Sequence, residues 1–151
     1  MDDEIEKEYF ASTDKTKINS ILVHQFLSEE SYWAKNIPLV IVQKSIDNSL
    51  CFGVYNLKNE QVAFARVVTD FATFGYLADV FVIESHRGKG ISKFLMDFIM
   101  HQEDLQGLRR WILATRNAHT LYTQFSFQPL PNPQNFMTIH KPDLYASEPI
   151  S

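Results

Sequence analysis

A chain of 151 residues, of which 45% are hydrophobic and 21% charged, has the size and composition of one globular domain without low-complexity runs. The net charge of −4 at pH 7 argues against a general nucleic-acid-binding protein, because such proteins present basic surfaces. No apolar run is long enough for a membrane span or a signal peptide, so we expect a cytoplasmic protein. The single cysteine, Cys51, lies in an apolar run and is expected in the core.

The first fifty residues predict a strand followed by two helices. Residues 8–12 form the predicted strand. Thr13 and Asp14 supply the polar start of a helix, and apolar residues then follow at helical spacing to about residue 28. Proline fits a first helical turn, so Pro38 is expected to open a second helix that continues to Ile46.

Three strands are predicted next. Residues 50–56 and 61–69 flank a polar turn and have the composition of a hairpin. Residues 77–83 form a short, apolar and β-branched run, which is typical of a buried strand. A helix is predicted over 90–100, because its apolar residues fall on one face.

A polar loop with two glycines, residues 84–90, joins this third strand to the helix. Glycines let backbone N–H groups turn toward a ligand, and a helix N-terminus adds unpaired donors and partial positive charge. Arg87 and Lys89 add formal positive charge. The loop therefore predicts an anion site, most simply for a phosphate group. It is neither a dinucleotide fingerprint, since Lys93 stands at the third glycine position, nor a P-loop, since no G-K-[ST] follows.

The last third of the chain predicts a strand over 110–114, a short helix over 115–125 and a closing hairpin. Residues 127–130 and 136–140 would form that hairpin around a loop rich in Pro and Asn. A single domain would thus cover residues 1–140, followed by a C-terminal tail, 141–151.

Two motifs give a resemblance to a known family. The sequence RGKGIS at 87–92 resembles the Q/R-x-x-G-x-G/A pyrophosphate loop of the GNAT superfamily of acetyl-CoA-dependent N-acetyltransferases, with Ser92 as a mild departure. The sequence AHTLYTQFSF at 118–127 resembles the family's A-x-x-L-Y-x-x-x-G-F motif, with Ser126 in place of glycine. The order of the predicted elements is also that of the GNAT fold. The resemblance implies an α/β (α+β) fold with a central mixed, mostly antiparallel sheet flanked by helices.

The resemblance further implies that the acetyl group of acetyl-CoA moves to a primary amine by direct attack in a ternary complex. The residues expected at the pyrophosphate are Arg87, Gly88, Lys89, Gly90, Ile91 and Ser92. The backbone of Phe81, Val82 and Ile83 would contact pantetheine, and an N–H near Val82 would face the thioester oxygen. Tyr122, which also contacts the cofactor, is the implied hydrogen-bond donor to the departing thiolate, unless it merely packs in the core.

Three candidates fit the role of the general base that deprotonates the amine, namely two carboxylates and a water relay. Asp79 lies inside an apolar strand, which is costly unless the carboxylate is paired or faces a cleft. Its alternative role is a salt bridge to Arg66 on the neighbouring strand. Glu84, beside the loop, is the second candidate. Tyr32 and Trp33 lie in the segment that forms the substrate wall of the family, or they anchor the junction of two helices.

Two other functions fit the sequence. A non-catalytic acetyl-CoA-binding module could act as a sensor or scaffold, and an unrelated small α/β protein could bind phosphate or nothing. The five histidines show no paired ligand spacing, so no metal is expected. The expected partners are acetyl-CoA and a small-molecule or peptide amine, without nucleic acid or membrane, and a homodimer stays open.

Overall fold

One mixed sheet runs through the computed structural model, which describes residues 3–146. Its strands are β1 (Tyr9–Ser12), β2 (Leu50–Asn56), β3 (Gln61–Thr69), β4 (Phe74–Val82) and β5 (Arg110–Ile112). The strands lie in chain order; the first four are antiparallel, and β5 runs parallel to β4. This mixed, mostly antiparallel sheet confirms the fold class predicted from the sequence.

Helices pack on both faces of this sheet. They are α1 (Asp3–Glu6), α2 (Ser20–Glu29), α3 (Leu39–Asp47), α4 (Ile91–Met100) and α5 (His119–Thr123). None of these helices, in the part of the chain that is described, has the length and hydropathy needed to cross a membrane.

Alternation along the strands divides the core between the two faces. Phe52 on β2 and Ala65 on β3 face the side where α4 packs, together with Leu95. Cys51 and Phe64, their neighbours in sequence, face the side covered by α2 and α3. Because successive side chains of a strand point to opposite faces, an uninterrupted apolar strand requires helices on both sides.

Helix α2 begins later than the sequence predicted, since a helix was expected to start at Thr13 and Asp14. Asp14 does cap a turn, because its carboxylate accepts from the Thr16 backbone N–H at 3.0 Å and from its hydroxyl at 2.6 Å. That turn is a short 3₁₀ segment, Lys15–Lys17, which ends at Ile18 in an extended conformation. Asn19 then caps α2 by accepting from the Leu22 N–H at 3.0 Å. Two caps in succession separate one predicted helix into a turn and a helix.

The predicted closing hairpin is wrong. Neither 127–130 nor 136–140 forms a strand in the structure. Three prolines at 129, 131 and 133 remove N–H donors that a ladder needs, and Pro133–Asn135 forms a 3₁₀ turn. Met137 and Ile139, two apolar residues of the predicted second strand, are 99% and 94% exposed.

The boundary of the predicted tail at residue 140 stays a prediction. Residues 141–146 form turns, and the Ala146 carbonyl accepts a hydrogen bond from the Asn36 side chain at 3.3 Å. The remainder of the predicted tail, 147–151, lies outside the described residues.

A separation between β4 and β5 is the feature of the fold that positions the site. The two strands pair at only three positions, Phe74 with Arg110, Gly75 with Trp111 and Tyr76 with Ile112. β4 continues for six more residues, to Val82, while the chain after Ile112 leaves the sheet. The edge of β4 beyond Tyr76 therefore faces a gap instead of a strand.

We expect the Gly53→Ala substitution to destabilise the fold. An added Cβ would lie against the Tyr55 hydroxyl and 2.6 Å from Cζ of its ring, and this ring is 1% exposed and cannot move freely. Overpacking of this kind costs about 1–3 kcal/mol of unfolding free energy. Denaturant unfolding measures the change, and an unaltered midpoint would contradict the packing argument.

Candidate active site

A cavity of about 610 Å³ occupies the gap between β4 and the chain that follows β5. Its walls include residues 76–80 of β4 and residues 113–118. The structure brings four of the predicted site residues to this cavity, namely Tyr32, Trp33, Asp79 and Tyr122. Tyr32 and Trp33 come from the loop after α2, and Arg66 on β3 and His140 also line the cavity, so the site joins five separate parts of the chain.

Asp79 reaches this cavity through a β-bulge in β4. Arg66 pairs with Ala78 and Phe64 pairs with Phe81, so one residue of β3 lies opposite two residues of β4. Asp79 takes the left-handed backbone conformation, with φ of +55°, which aspartate adopts more readily than most residues. The bulge interrupts the alternation of the strand at the residue that carries the charge.

The carboxylate of Asp79 is paired on both oxygens. Oδ2 accepts from Nε of Arg66 at 2.6 Å, and Oδ1 accepts from Nε1 of Trp33 at 2.7 Å. The Arg66 guanidinium also donates to the Ser49 hydroxyl at 3.2 Å. The salt bridge considered as an alternative for Asp79 is therefore present, and its role as a base stays a prediction.

Tyr122 lies on α5 with its side chain 8% exposed. Burial, with a smaller contribution from Tyr32, raises the pKa of the Tyr122 phenol to about 12. Its ring packs edge-on against Phe127, with centroids 6.0 Å apart, yet no hydrogen bond joins its hydroxyl to another described residue. The phenol is thus protonated at neutral pH and available as a donor. Ser126 adopts φ of +74°, so the position does require the conformation that glycine usually provides.

The glycine loop forms a second cavity, of about 260 Å³, at the far end of the gap. Gly88 and Gly90 have φ of +79° and +83°, and an added Cβ would meet nothing within 4 Å at either position. Glycine is therefore required for backbone conformation and not for space. Gly90 is the N-cap of α4 and offers no side-chain cap, which leaves the first N–H groups of the helix open to a ligand.

The comparisons with known proteins decide the family. Residues 47–129, more than half of the chain, match the family model described as an acetyltransferase (GNAT) domain. The chain belongs to the GNAT acetyltransferase family. This confirms the resemblance drawn from the two sequence motifs, and it makes the protein an acyltransferase of a family that uses acetyl-CoA.

Individual GNAT relatives agree with this assignment. A crystal structure of a candidate GNAT acetyltransferase from Xanthomonas campestris pv. campestris is 51% identical, with a TM-score of 0.89, and covers 92% of this chain and 97% of that one. A candidate acetyltransferase from Gibberella zeae is 29% identical over 136 residues, 76% of each protein. A candidate acetyltransferase from Clostridium acetobutylicum, crystallised with acetyl-CoA, shares the fold at 18% identity, with a TM-score of 0.62 and coverage of 87% and 94%.

Phe81 and Val82 at the end of β4, and Ile83 directly after it, are the backbone positions expected at the cofactor of this GNAT protein, and they differ in which hydrogen-bonding groups are free. The Ile83 N–H donates to the Val62 carbonyl at 2.9 Å, across to the β3 side. Because backbone groups alternate along a strand, the Val82 N–H points to the opposite side, into the gap. The Val82 carbonyl accepts from Nε of Arg87 at 3.1 Å. The backbone groups of Phe81, like those of Ile83, point toward β3, where Phe81 pairs with Phe64. The Phe81 ring stacks on Phe26, with the ring centroids 4.0 Å apart. All three remain predictions as cofactor contacts, and Val82 has the favourable geometry.

Glu84 lies apart from the paired carboxylate. It is exposed, at the start of the 84–90 loop in a 3₁₀ turn (Glu84–His86), and it lines neither the main cavity nor the loop cavity. Its role as a base also stays a prediction. Within residues 3–146 there is no group of three or more His, Cys, Asp and Glu side chains placed to hold a metal ion.

Sequence reasoning missed two basic residues of the site. Lys93 lines the loop cavity and also a neighbouring cleft of about 450 Å³, which it shares with Lys89 and Phe125. Its position four residues after Lys89, on the first turn of α4, could have indicated a common face. Arg116 lines the main cavity, and its contact with Tyr32, 84 residues away, leaves no local signal in the sequence.

We expect the Asp79→Asn substitution to lower the unfolding free energy by about 1–3 kcal/mol, because Arg66 would keep a partly buried charge without its partner. Asparagine retains the shape and tolerates the left-handed backbone. Chemical denaturation measures the loss. The matched control is Asp97→Asn, which removes a carboxylate from a more exposed pair with His101 and should cost less than about 1 kcal/mol. Equal stability of the two variants would show that the Asp79 pair does not hold the site together.

Proposed function

We propose that this protein transfers the acetyl group of acetyl-CoA to a primary amine by direct attack in a ternary complex. The observation that carries this proposal is the unpaired edge of β4, with the glycine loop and its open helix N-terminus at one end and the Tyr122 hydroxyl in the cavity beside the other. Buried backbone groups need hydrogen-bond partners, and the amides of pantetheine can supply them as an added strand would.

The cofactor fits the donors that line this edge. Backbone N–H groups of residues 88–92, with Arg87 and Lys89, would hold the pyrophosphate. Lys93 and the adjacent cleft would then receive the phosphate on the ribose, since they continue from the loop. The Val82 N–H, which faces the gap, would donate to the carbonyl oxygen of the thioester as negative charge develops there.

Acetyl-CoA supplies the thioester, and the amine forms a C–N bond to its carbonyl carbon while the C–S bond breaks. The amine loses one proton and the leaving sulfur gains one, so the reaction balances. Tyr122 would donate a hydrogen bond to the sulfur. With the pKa of Tyr122 at about 12 and that of a thiol near 8.5, full proton transfer would be uphill by about 5 kcal/mol. We therefore assign Tyr122 a stabilising hydrogen bond, with final protonation by water.

Deprotonation of the amine is assigned to water in the main cavity. A lysine-like amine is neutral in only about one molecule in 2500 at pH 7, so removing this proton matters for the rate. Asp79 is engaged by Arg66 and Trp33, and Glu84 lies outside the cavity. The role we propose for Asp79 is to position Trp33 and Arg66 at the cavity wall.

The same pairing favours one alternative function. A cavity whose carboxylate is already occupied also suits a protein that binds acetyl-CoA as a sensor or scaffold without turnover. Steady release of CoA thiol from acetyl-CoA, on addition of a panel of amines, supports the enzyme. Binding of acetyl-CoA without thiol release from any amine supports the sensor.

The Gly90→Glu substitution should abolish affinity for acetyl-CoA, because a carboxylate would lie at the pyrophosphate position. In the unaltered protein, ligand at a hundred times its Kd should stabilise the fold by about 2.7 kcal/mol, which thermal unfolding and calorimetry detect. Gly107→Glu is the matched control, since Gly107 has φ of +81° and open space around it but lies away from the loop. Both variants carry the same backbone strain and added charge.

Two results would contradict this prediction. Unchanged acetyl-CoA affinity in a folded Gly90→Glu variant would show that the phosphates bind elsewhere. An unaltered protein that shows neither heat nor a thermal shift with acetyl-CoA would refute cofactor binding altogether.

The Tyr122→Phe substitution should reduce turnover about ten- to a thousandfold once an acceptor has been found by screening, because one transition-state hydrogen bond is lost. Affinity for acetyl-CoA should change far less, since the interaction strengthens only as charge develops on sulfur. Tyr55→Phe is the control, because it removes a buried hydroxyl that has no partner among the described residues and lies outside the cavity. Normal turnover of Tyr122→Phe would assign protonation to water alone, and a joint loss of stability and activity would assign the hydroxyl a structural role.

A further inference from the structure

Arg116 is held in place at the wall of the main cavity by one aromatic residue. Its guanidinium carbon lies 4.1 Å from the centroid of the Tyr32 ring, within the range of a cation–π contact. Its backbone N–H donates to the Tyr32 hydroxyl at 3.0 Å. A side chain that is already positioned loses little conformational freedom when it binds a ligand.

The donors of this guanidinium are unused within the described part of the chain. No described carboxylate forms an ion pair with Arg116, and its side chain donates no hydrogen bond to another described residue. Stacking over a ring uses the face of the guanidinium and leaves its N–H edge free. That edge has the planar geometry that binds carboxylate or phosphate through two parallel hydrogen bonds.

The net charge of the described residues that line the cavity is positive, because the ion pair of Asp79 and Arg66 cancels and Arg116 remains. Asp79 is the one carboxylate among the described lining residues, and Arg66 neutralises it at 2.6 Å. Arg116 remains as the unbalanced cation. Such a wall attracts an anionic group and disfavours an ammonium group.

We propose that the acceptor is an amine that also carries a carboxylate or phosphate group, and that the Arg116 guanidinium binds this group. The inference rests on the proposed acetyl transfer and names its acceptor class. Arg116 is not part of the loop cavity, so it is assigned to the acceptor and not to the pyrophosphate.

Three pairs of probe amines test this assignment, each pair differing by the anionic group. They are β-alanine and β-alaninamide, O-phosphoethanolamine and ethanolamine, and glucosamine 6-phosphate and glucosamine. Calorimetry measures binding of each probe to the protein saturated with CoA, which needs no turnover. Thiol release from acetyl-CoA is measured separately with the same probes.

We expect the anionic member of at least one pair to bind about tenfold to a hundredfold more tightly, as a charged hydrogen-bonded group does. Arg116→Gln should remove this preference, and Arg116→Lys should retain part of it, because lysine keeps the charge but not the planar edge. Arg110→Gln is the matched control, since Arg110 also lies over an aromatic ring, that of Phe136 at 4.8 Å, but outside the cavity. It should keep the full preference.

The proposal is overturned if no pair shows preference for its anionic member, or if the preference persists in Arg116→Gln. It is also overturned if Arg116→Gln weakens CoA binding and this loss disappears with CoA lacking the ribose phosphate, because Arg116 would then bind the cofactor. Failure of the proposed acetyl transfer would give a different result. No probe would release CoA thiol from acetyl-CoA, while calorimetry would still show the Arg116-dependent preference for the anionic probes.

Discussion

The separation of β4 from β5 is the constraint on which the rest of this structure depends. The strands are close at Gly75, where an added Cβ would lie 3.1 Å from Leu108 and 3.2 Å from Trp111. Beyond Tyr76 the parallel pairing ends, and within residues 3–146 the edge of β4 has no neighbouring strand. Backbone groups in such a position must be satisfied by water or by a ligand. A ligand with amide groups along its length suits that edge. The two cavities, one at each end of the edge, differ in lining, so they would bind different ends of such a ligand.

The net charge of the gap between β4 and the chain after β5 depends on which of its charged side chains form ion pairs with one another. Asp79 and Arg66 form an ion pair at the bulge. The first candidate for the general base therefore already has a charged partner in the cavity wall. Tyr122 has the opposite situation, because it is buried without a partner among the described residues and therefore stays protonated. A protonated phenol and an unbalanced Arg116 both favour negative charge nearby. The site is consequently better suited to stabilise charge that develops during a reaction than to remove protons.

The elements that sequence predicted well are those whose signals are local. The glycine loop and the start of α4 depend on φ values that glycine adopts without a steric penalty, and they were placed to within a residue. Strands β2 and β3 were placed at their observed bounds, because their apolar composition and the polar turn between them lie side by side in the chain. The family motif could likewise be identified at 87–92, since all of its parts are contiguous.

The errors in the predicted elements have identifiable physical causes. Residues 127–130 and 136–140 were expected to pair as a hairpin, yet three prolines removed N–H donors, and the side chains of Met137 and Ile139 remained in solvent. Asp14 capped a turn as expected, but nothing in the local sequence showed that the turn would end after three residues. In both cases a local preference was real, and its extent was decided by neighbouring segments.

The sequence by itself determined the family, the bounds of β2 and β3 and the glycine turn before α4, because these depend on contiguous patterns and on backbone conformations that few residues adopt. Only the tertiary structure decided which side chains meet in the gap. Trp33 reaches Asp79 across 46 positions, and Arg116 reaches Tyr32 across 84. Contacts over such separations depend on how the loop after α2 packs against the open edge of the sheet. That packing decides whether an acid is free or paired and whether an arginine is available to a substrate.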